Sequence, residues 1–410
     1  MKNLSKTLIL SLFFSFSALA QETEVLTLDE AIKIALESNP GIIISDASVD
    51  VMKAKVQNAK SIFYPQVEFR FILPFIERES GVFVDQLIWD FWRTPNLVKA
   101  NKAQLESSRY DKTGTQEDVI LNTKIAYYTV LAKRHTLDAA KKKLTEQEKR
   151  LEQIENFFNL GRESKLGVTR AKVTLGNSKL NLITAKNDLE IAKLKLLKAL
   201  GIEERDFNYE LVDMLEYTVV DLNLENAISK ALDSRPELKS LMAKEAGMRA
   251  SLSASRQSLL FPEILGRAAY RFEGEGATGP DFIAGVGLRF PLFEGFSDVS
   301  RVSEERAKLR QSQAQVESLK RQIASDLKEL YLNLKYAEES LQVTETSNTS
   351  AEENLELARE EYRLGKSSEV GLVEAESILA STTADHIQAI YNYKIAIAQL
   401  ERATGEKIEE

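Results

Sequence analysis

The residue types that most often carry enzyme chemistry are scarce in this sequence. Its 410 residues include two histidines, His135 and His386, and no cysteine. Histidine commonly serves as a general acid or base and as a metal ligand, and cysteine as a nucleophile. Neither histidine has a neighbouring ligand pattern, so we interpret both as helix-surface or packing residues. The lack of cysteine excludes disulfides and thiolate metal sites.

One run, GEGATG at 274–279, has the glycine content of a phosphate-binding loop. Such a loop must lead into a helix whose N-terminus binds the anion, and no helical pattern follows here. We interpret the run as the turn of a β-hairpin. No nucleotide fingerprint or nucleophile elbow is present either. The sequence therefore predicts no enzyme activity, no cofactor and no metal site.

Charged side chains alternate with apolar ones in four short segments. In the first segment, Val67 and Phe69 alternate with Glu68 and Arg70. This period of two predicts amphipathic strands, paired as hairpins at about 66–90 and 263–293, with the length of tilted membrane strands. The polar residues of this alternation carry both signs of charge. They predict either the water-filled lumen of a barrel without a selectivity filter or the ordinary polar face of a sheet that is buried on its other face. The predicted lumen residues are Arg70, Asp85, Arg267, Arg271 and Arg289.

Long helices must position these hairpins. In the second half of the chain, apolar residues from Val316 to Leu341 mostly follow three–four spacing, with Glu, Lys and Gln between them. Such a heptad seam predicts a coiled-coil helix. The corresponding stretch from Asn96 to Leu160 would be roughly 100 Å long as one continuous helix. Gly161 and Gly365 follow as natural helix C-termini, and a second long helix follows each of them.

The chain is a tandem duplication. LTLDEAIKIALESNP at 26–40 matches LNLENAISKALDSRP at 222–236, an offset of 196 residues. From Trp89, which matches Phe293, the offset is 204 and remains so up to Gly201, which matches Gly405. We therefore predict two repeats, at 21–205 and 206–410, each built as helix, β-hairpin and helix. The second hairpin contains about seven extra residues.

Residues 1–20 have the features of a signal peptide. Lys2 and Lys6 precede a short apolar run, and Ala18, Leu19 and Ala20 provide a small-residue cleavage site. Removal of the two lysines would take the formal charge from −8 to −10. The mature chain would then have no basic excess with which to bind nucleic acid. No later segment is apolar for long enough to predict a transmembrane helix.

Aromatic residues cluster beside one end of the strand segments. Membrane strands often carry aromatic belts at the lipid–water interface, although the same residues could form the core of a soluble helix–hairpin domain. Open strand edges are not tolerated in lipid. Membrane insertion would therefore require several copies of the chain to close the sheet. The belt residues are Phe63, Tyr64, Trp89, Phe91, Trp92, Phe293 and Phe296.

The two repeats, FPLFEGF at 290–296, and the motifs LGRESKLGVTRA and LGKSSEVGLVEA together resemble the TolC-type outer-membrane efflux and secretion channels. The resemblance covers essentially the whole mature chain. It implies a mainly α-helical fold with a β-barrel part, in which a homotrimer forms a 12-stranded membrane barrel and a long periplasmic α-helical barrel. The implied function is the exit duct of a tripartite efflux pump or type I secretion system in a Gram-negative outer membrane. The implied partners are outer-membrane lipid, a periplasmic adaptor protein and an inner-membrane pump, which must supply the energy of transport.

The resemblance also implies roles for residues near the helix tips. Tyr362 and Glu374 match residues that line the constricted periplasmic aperture of family members, where three copies of Glu374 would attract cations. Glu374 as an ordinary solvated helix residue is the alternative. Ser367 and Gly371 stand where arginine and aspartate are frequent, so a gate held by those two side chains is not expected here. The tips themselves would dock the adaptor through Leu160, Gly161, Ser164, Leu364, Gly365 and Ser368.

Two other classes of protein share some of these features. A periplasmic adaptor also has a long helical hairpin, but it would carry a single one with several soluble β-domains and no duplicated amphipathic β-hairpins. A structural coiled-coil protein of the envelope would not need aromatic belts. Conductance of the purified protein in a planar bilayer would separate these alternatives from the duct.

Overall fold

The computed structural model describes residues 24–71, 80–203, 209–220, 222–272 and 281–406. The signal-peptide prediction at 1–20 and the two hairpin turns, at 72–79 and 273–280, lie outside the described residues. The elements in chain order are β1 (Glu24–Leu26), α1 (Leu28–Ser38), α2 (Pro40–Ser61), β2 (Gln66–Arg70), β3 (Gly81–Trp89), α3 (Arg93–Asn159), α4 (Lys165–Leu200), β4 (Tyr209–Leu211), α5 (Leu224–Ser234), α6 (Pro236–Leu260), β5 (Glu263–Arg271), β6 (Asp281–Arg289), α7 (Ser297–Arg363) and α8 (Glu369–Thr404).

Each long helix of the first half has a counterpart of the same length in the second half. Helices α3 and α7 both have 67 residues, and α4 and α8 both have 36. The predicted heptad seam of α7 is buried at Val316, Ile323, Leu327 and Leu334. The helices begin slightly earlier than expected, since α3 starts at Arg93 rather than Asn96.

The helix ends follow from local sequence. Thr27 and Glu30 form a capping box at the start of α1, where each side chain bonds the other residue's backbone N–H. Gly161 and Gly365 adopt φ of +72° and +70° after α3 and α7. This left-handed conformation ends a helix at little cost only for glycine.

The four predicted strands form one antiparallel sheet in the order β2-β3-β5-β6. The register places Asp85 opposite Arg267 and Glu263 opposite Arg289. The first hairpin ends at Trp89, one residue before the predicted end at about 90, and the second ends at Arg289, four residues before the predicted end at about 293. The peptide beyond β6 turns through proline and glycine towards α7, and proline cannot donate a ladder hydrogen bond.

The long helices form a row. Towards the tips the order is α4-α3-α8-α7, and nearer the sheet α2 and α6 take the places of α4 and α8. A first core surrounds Tyr127 and Leu131 of α3, and a second surrounds Leu327 of α7 and Tyr393 of α8. None of the helices in the described residues has the length and hydropathy of a membrane-spanning helix.

A further pair of strands, absent from the sequence prediction, lies near the middle of the row. β1 and β4 pair in parallel, with Val25 opposite Glu210. Each has only three residues, which is too short for an alternating pattern to be recognised. The pair and residues 212–220 form a strap across the helices.

Candidate functional site

One face of the four-stranded sheet is charged and the other is apolar. All eight charged residues of the four strands share one face, because the register places the even-numbered residues of β2 beside the odd-numbered residues of β3, β5 and β6. The opposite face carries apolar residues, of which Val67, Phe69, Phe282, Val286 and Leu288 are strongly exposed. The face with both signs of charge therefore contains every predicted lumen residue: Arg70, Asp85, Arg267, Arg271 and Arg289.

The charges of this face occur as ion pairs. Arg267 Nε donates to Asp85 Oδ1 at 2.6 Å across β3 and β5. Arg271 Nη2 lies 3.1 Å from Asp281 Oδ2, and Arg289 pairs with Glu263. Arg70 pairs with Glu68 on the same strand at 2.9 Å. Four arginines and four carboxylates thus neutralise one another along a solvated surface.

The predicted belt residues lie at the helix end of the sheet. The Phe91 ring stacks on Phe261 with centroids 4.9 Å apart, and Trp89 meets Trp92 edge to face at 5.6 Å. Phe293 and Phe296 are likewise edge to face at 5.4 Å. Phe63 and Tyr64 are exposed where α2 leads into β2. This arrangement concentrates exposed aromatic surface in one band, which we call the aromatic band, between the strands and the long helices.

The band includes strained backbone. Phe91, Trp92 and Phe296 have φ of +49°, +73° and +67°. Trp92 and Phe296 are the residues just before α3 and α7, and they differ by the repeat offset of 204. A non-glycine residue in the left-handed region costs about 1 kcal/mol. In both repeats, a residue with strained backbone therefore connects the last strand of the hairpin to the following long helix.

The two tips have nearly the same structure. Ser164 Oγ accepts from Gly167 N at 3.1 Å, and Ser368 Oγ accepts from Gly371 N at 3.3 Å, which starts α4 and α8. Leu160 and Leu364 precede the left-handed glycines, and their side chains are 68% and 56% exposed. Each tip thus presents an apolar side chain to solvent.

The four predicted aperture residues lie around the second tip. Tyr362 lies in the last turn of α7, and its carbonyl accepts from Gly365 N at 3.0 Å. A side chain at Gly371 would meet the Ser367 hydroxyl, 2.7 Å from an added Cβ. Glu374 lies on the first turns of α8, where its Oε2 is 3.8 Å from Arg150 Nη1 of α3. Among these four residues, Glu374 lies next to an oppositely charged side chain, that of Arg150.

Arg150 was not identified from the sequence. It lies between Glu374 and Glu146, which is 1% exposed in its side chain and also pairs with Lys143. Arg150 and Glu374 belong to different repeats, and neither helix alone gives a sign that they meet.

A second charged cluster joins three helices near the C-terminus of α8. Arg402 Nε donates to Asp118 Oδ1 at 2.8 Å, Nη1 lies 2.9 Å from Glu117 Oε2, and Nη2 donates to Glu237. Burial raises the pKa of Glu117 despite the nearby arginine. Burial is also the largest influence on Glu237 and acts in the same direction, but the hydrogen bonds from Arg402 and the backbone, together with the charges of Arg402 and Arg235, lower the pKa of that carboxyl. The cluster ties α3 and α6 to α8.

Buried tyrosines hold the strap. Tyr127 Oη donates to Leu26 O at 2.8 Å and accepts from Val212 N at 3.0 Å. Tyr391 Oη donates to Asp213 Oδ1 at 3.1 Å. Burial raises the pKa of both phenols, so each remains a donor at neutral pH.

The two histidines lie on helices, as expected. His135 Nε2 lies 3.2 Å from Asp213 Oδ1, beside the strap, and His386 Nδ1 lies 3.4 Å from the Thr344 hydroxyl. Both therefore contact side chains that belong to other segments of the fold.

The structure thus combines a two-faced strand sheet with a row of long helices. The family model of outer membrane efflux proteins matches residues 76–202 and 227–406, and the chain belongs to that family. Proteins of this family are passive outer-membrane channels. The chain is accordingly an outer-membrane exit duct that extends into the periplasm, rather than an enzyme or an adaptor.

Individual relatives are distant but similar over nearly their whole length. The outer membrane efflux protein BepC of Brucella suis is 21% identical over 399 residues, covering 92% of this chain and 85% of that protein. TolC of Escherichia coli is 23% identical, covering 99% of this chain and 87% of that protein. Among solved structures, the outer-membrane channel OprN has a TM-score of 0.76 at 17% identity, with 92% and 89% of the two chains covered. The Campylobacter jejuni CmeC channel has a TM-score of 0.74 at 16% identity, with 93% and 87% covered.

Proposed function

We propose that three copies of this chain form the duct, with twelve strands closed into a membrane barrel and the helices closed into a periplasmic tube. The separation of charge and apolar surface on the sheet carries this proposal. One face suits lipid and the other suits water, as in a barrel with a wet interior. Because β2 and β6 are the outer strands of a four-stranded sheet, closure in lipid requires strands from other copies.

The charged face would line the lumen and the aromatic band would lie at the periplasmic interface. With arginine and carboxylate side chains paired across strands, the lumen would carry no strong excess of either charge. Such a lumen favours passage of many solutes over selection of one ion.

The tips would dock a periplasmic adaptor that links the duct to an inner-membrane pump. The exposed Leu160 and Leu364, each beside a left-handed glycine, support this role because they offer small apolar contact points at the end of the helical row. The pump would supply the energy of export. The aperture would be formed by Tyr362, Ser367, Gly371 and Glu374.

The absence of cysteine makes the barrel assignment directly testable. Arg267→Cys lies on the charged face and Val286→Cys on the apolar face. In reconstituted trimers, a membrane-impermeant charged thiol reagent should modify the first and lower single-channel conductance. It should leave the second unmodified, and a lipid-soluble maleimide should label it. Equal labelling of both positions by the charged reagent would contradict a barrel with this orientation, and lack of any conductance by the unmodified protein would contradict the duct itself.

Docking at the tips requires a separate experiment. A photo-crosslinking amino acid at position 364 should capture a periplasmic protein in cells, whereas one at Leu332, in mid-helix, should not capture that protein. Capture of the same protein at both positions would contradict docking at the tips.

A further inference from the structure

The outer helices of the row carry exposed apolar stripes. On α4 the stripe contains Val173, Leu180, Ile183 and Leu194, whose exposed fractions range from 53% to 63%. On α7 it contains Leu332, Tyr336, Val343 and Leu357, whose exposed fractions range from 67% to 74%. Most neighbouring stripe residues are separated by three, four or seven positions, as in a coiled-coil seam. Apolar stripes of this size on the two edges of a row indicate surfaces that another chain covers.

The contact between the two repeats shows how such stripes pack. Helix α8 packs on α3 within the chain, and residues 204 positions earlier than those of α8 belong to α4. Ala384 and Ile387 are buried on α8, and their counterparts on α4 are Leu180 and Ile183. The exposed stripe of α4 therefore occupies the positions that α8 uses for packing.

The same correspondence holds between α3 and α7. Tyr128 and Ala132 of α3 are 3% and 1% exposed, and Tyr128 stacks on Tyr391 of α8 at 5.6 Å. Their counterparts on α7, at the offset of 204, are Leu332 and Tyr336. The exposed stripe of α7 thus corresponds to the surface of α3 that packs against α8.

Near the sheet the shorter helices repeat this relationship. On α6, Ser240 bonds Ser107 of α3 at 3.0 Å, and a Cβ added at Gly247 would lie 3.4 Å from Ala103 Cβ. The residues 196 positions earlier are Ile44 and Val51 of α2, which are 66% and 52% exposed. The unpacked edge therefore continues from α4 into α2.

Charge distinguishes the two edges. Residues 165–187 of α4 contain five basic residues and no acidic one. Residues 338–361 of α7 contain eight glutamates and one arginine. Four lysines recur every seven residues along α4, two of them directly before the stripe residues Val173 and Leu180, and glutamates lie beside the α7 stripe. The lysines are Lys165, Lys172, Lys179 and Lys186, and the glutamates are Glu339, Glu353, Glu356 and Glu360.

The two charged segments are at matching distances from the tips. Helix α4 begins just after Gly161, and α7 ends just before Gly365. If two copies align their tips, α4 of one copy runs antiparallel to α7 of the other. Its basic segment then lies beside the acidic segment of α7.

We propose that α4 of one copy packs antiparallel against α7 of the next copy, and that this lysine–glutamate seam selects the direction of assembly. The proposal rests on the trimeric duct proposed above and names the surface that closes it. Two α4 edges would repel each other, and so would two α7 edges, so a two-fold dimer is disfavoured. A heterologous contact of one edge with the other is the type of contact from which a closed ring such as the proposed trimer is built.

Charge reversal tests the seam. Lys179→Glu with Lys186→Glu should lower the association constant for trimers in detergent by about tenfold or more, as measured by sedimentation. Adding Glu339→Lys and Glu353→Lys in the same chain should restore trimers. The control, Lys141→Glu with Lys142→Glu on α3, makes the same change in charge away from the edges and should have no effect. Loss of trimers without restoration by the second pair would overturn the proposal.

Disulfide trapping provides a second measurement that does not depend on the charge variants. Leu180→Cys with Ser350→Cys should form an intermolecular disulfide in oxidised trimers, and Leu180→Cys alone should form none. If wild-type trimers conduct but neither trapping nor charge reversal has an effect, the seam is wrong and the duct stands. If the wild-type protein forms no conducting trimer, the proposed function fails instead.

Discussion

The Tyr128 ring of α3 stacks on the Tyr391 ring of α8, with centroids 5.6 Å apart and ring planes inclined by 24°. This contact joins the two repeats at the level of the strap. The Tyr391 hydroxyl continues the connection by donating to Asp213 Oδ1 at 3.1 Å. One side chain therefore links the packing between the helices to the segment that crosses them.

Tyr391→Phe should keep the ring contact and release the strap. Loss of a hydrogen bond to a carboxylate should cost about 1–2 kcal/mol of stability. Amide hydrogen exchange in residues 209–220 should accelerate. Tyr362→Phe, at an exposed position, is the matched control and should change neither quantity. Unchanged exchange in the Tyr391 variant would show that the hydroxyl does not hold the strap.

Arg402→Met should destabilise the protein by about 2 kcal/mol at neutral pH, less than for a fully buried pair because its partners are partly exposed. Without the arginine, the folded-state pKa values of Glu117 and Glu237 should both rise. When the pKa of a carboxyl is higher in the folded state than in the unfolded state, the stability of the fold decreases as pH rises through the folded-state pKa. The deficit of the variant relative to wild type should therefore shrink as pH falls from 7 towards 4.5, the usual pKa of these carboxyls.

Thermal unfolding at several pH values measures this difference. Arg109→Met is the control, because Arg109 forms an exposed pair with Glu106 at 3.4 Å and should contribute little. A deficit that stays constant with pH would contradict the assigned role of the two glutamates.

Arg150→Gln should increase the preference of the channel for cations. Arg150 Nη1 lies 3.8 Å from Glu374 Oε2, and its removal would leave the carboxylate uncompensated at the proposed aperture. Glu374→Gln should have the opposite effect, and Glu376→Gln, two residues along α8, should have none. Reversal potentials in a salt gradient measure the preference. Identical potentials in all three variants would place Glu374 away from the pore.

Gly365→Ala should destabilise the second tip by about 1 kcal/mol. The added Cβ has no neighbour within 4 Å, and the φ of +70° alone opposes it. Gly176→Ala, also without a neighbour within 4 Å but inside α4, should instead stabilise the protein by about 0.5 kcal/mol. Hydrogen exchange at 360–368 and unfolding midpoints compare the two. A tip that is equally protected in both variants would contradict the backbone argument.

Much of the fold was predictable because it repeats at short range. A period of two at Val67 and Phe69 specified strands, and heptad spacing from Val316 to Leu341 specified α7. The capping glycines Gly161 and Gly365 ended the helices where expected. The three-residue strands β1 and β4 were missed, because so few residues show no period.

The charged contacts were less accessible from sequence. Arg402 bonds Asp118 across 284 residues and Glu237 across 165. Any of many glutamates on the long helices could have been its partner, since helical periodicity indicates which face is buried but not which helix covers it. Arg150 was not identified from the sequence for the same reason.

The duplication was readable from segments that match at offsets of 196 and 204 residues. The long helices and the two faces of the strands were readable from side-chain patterns over a few residues. Which helices lie side by side became known from the folded structure. It places α8 between α3 and α7 and leaves α4 and α7 at the edges of the row. That order depends on packing between segments far apart in the chain, and it leaves apolar residues of α4 and α7 exposed at the edges of the row.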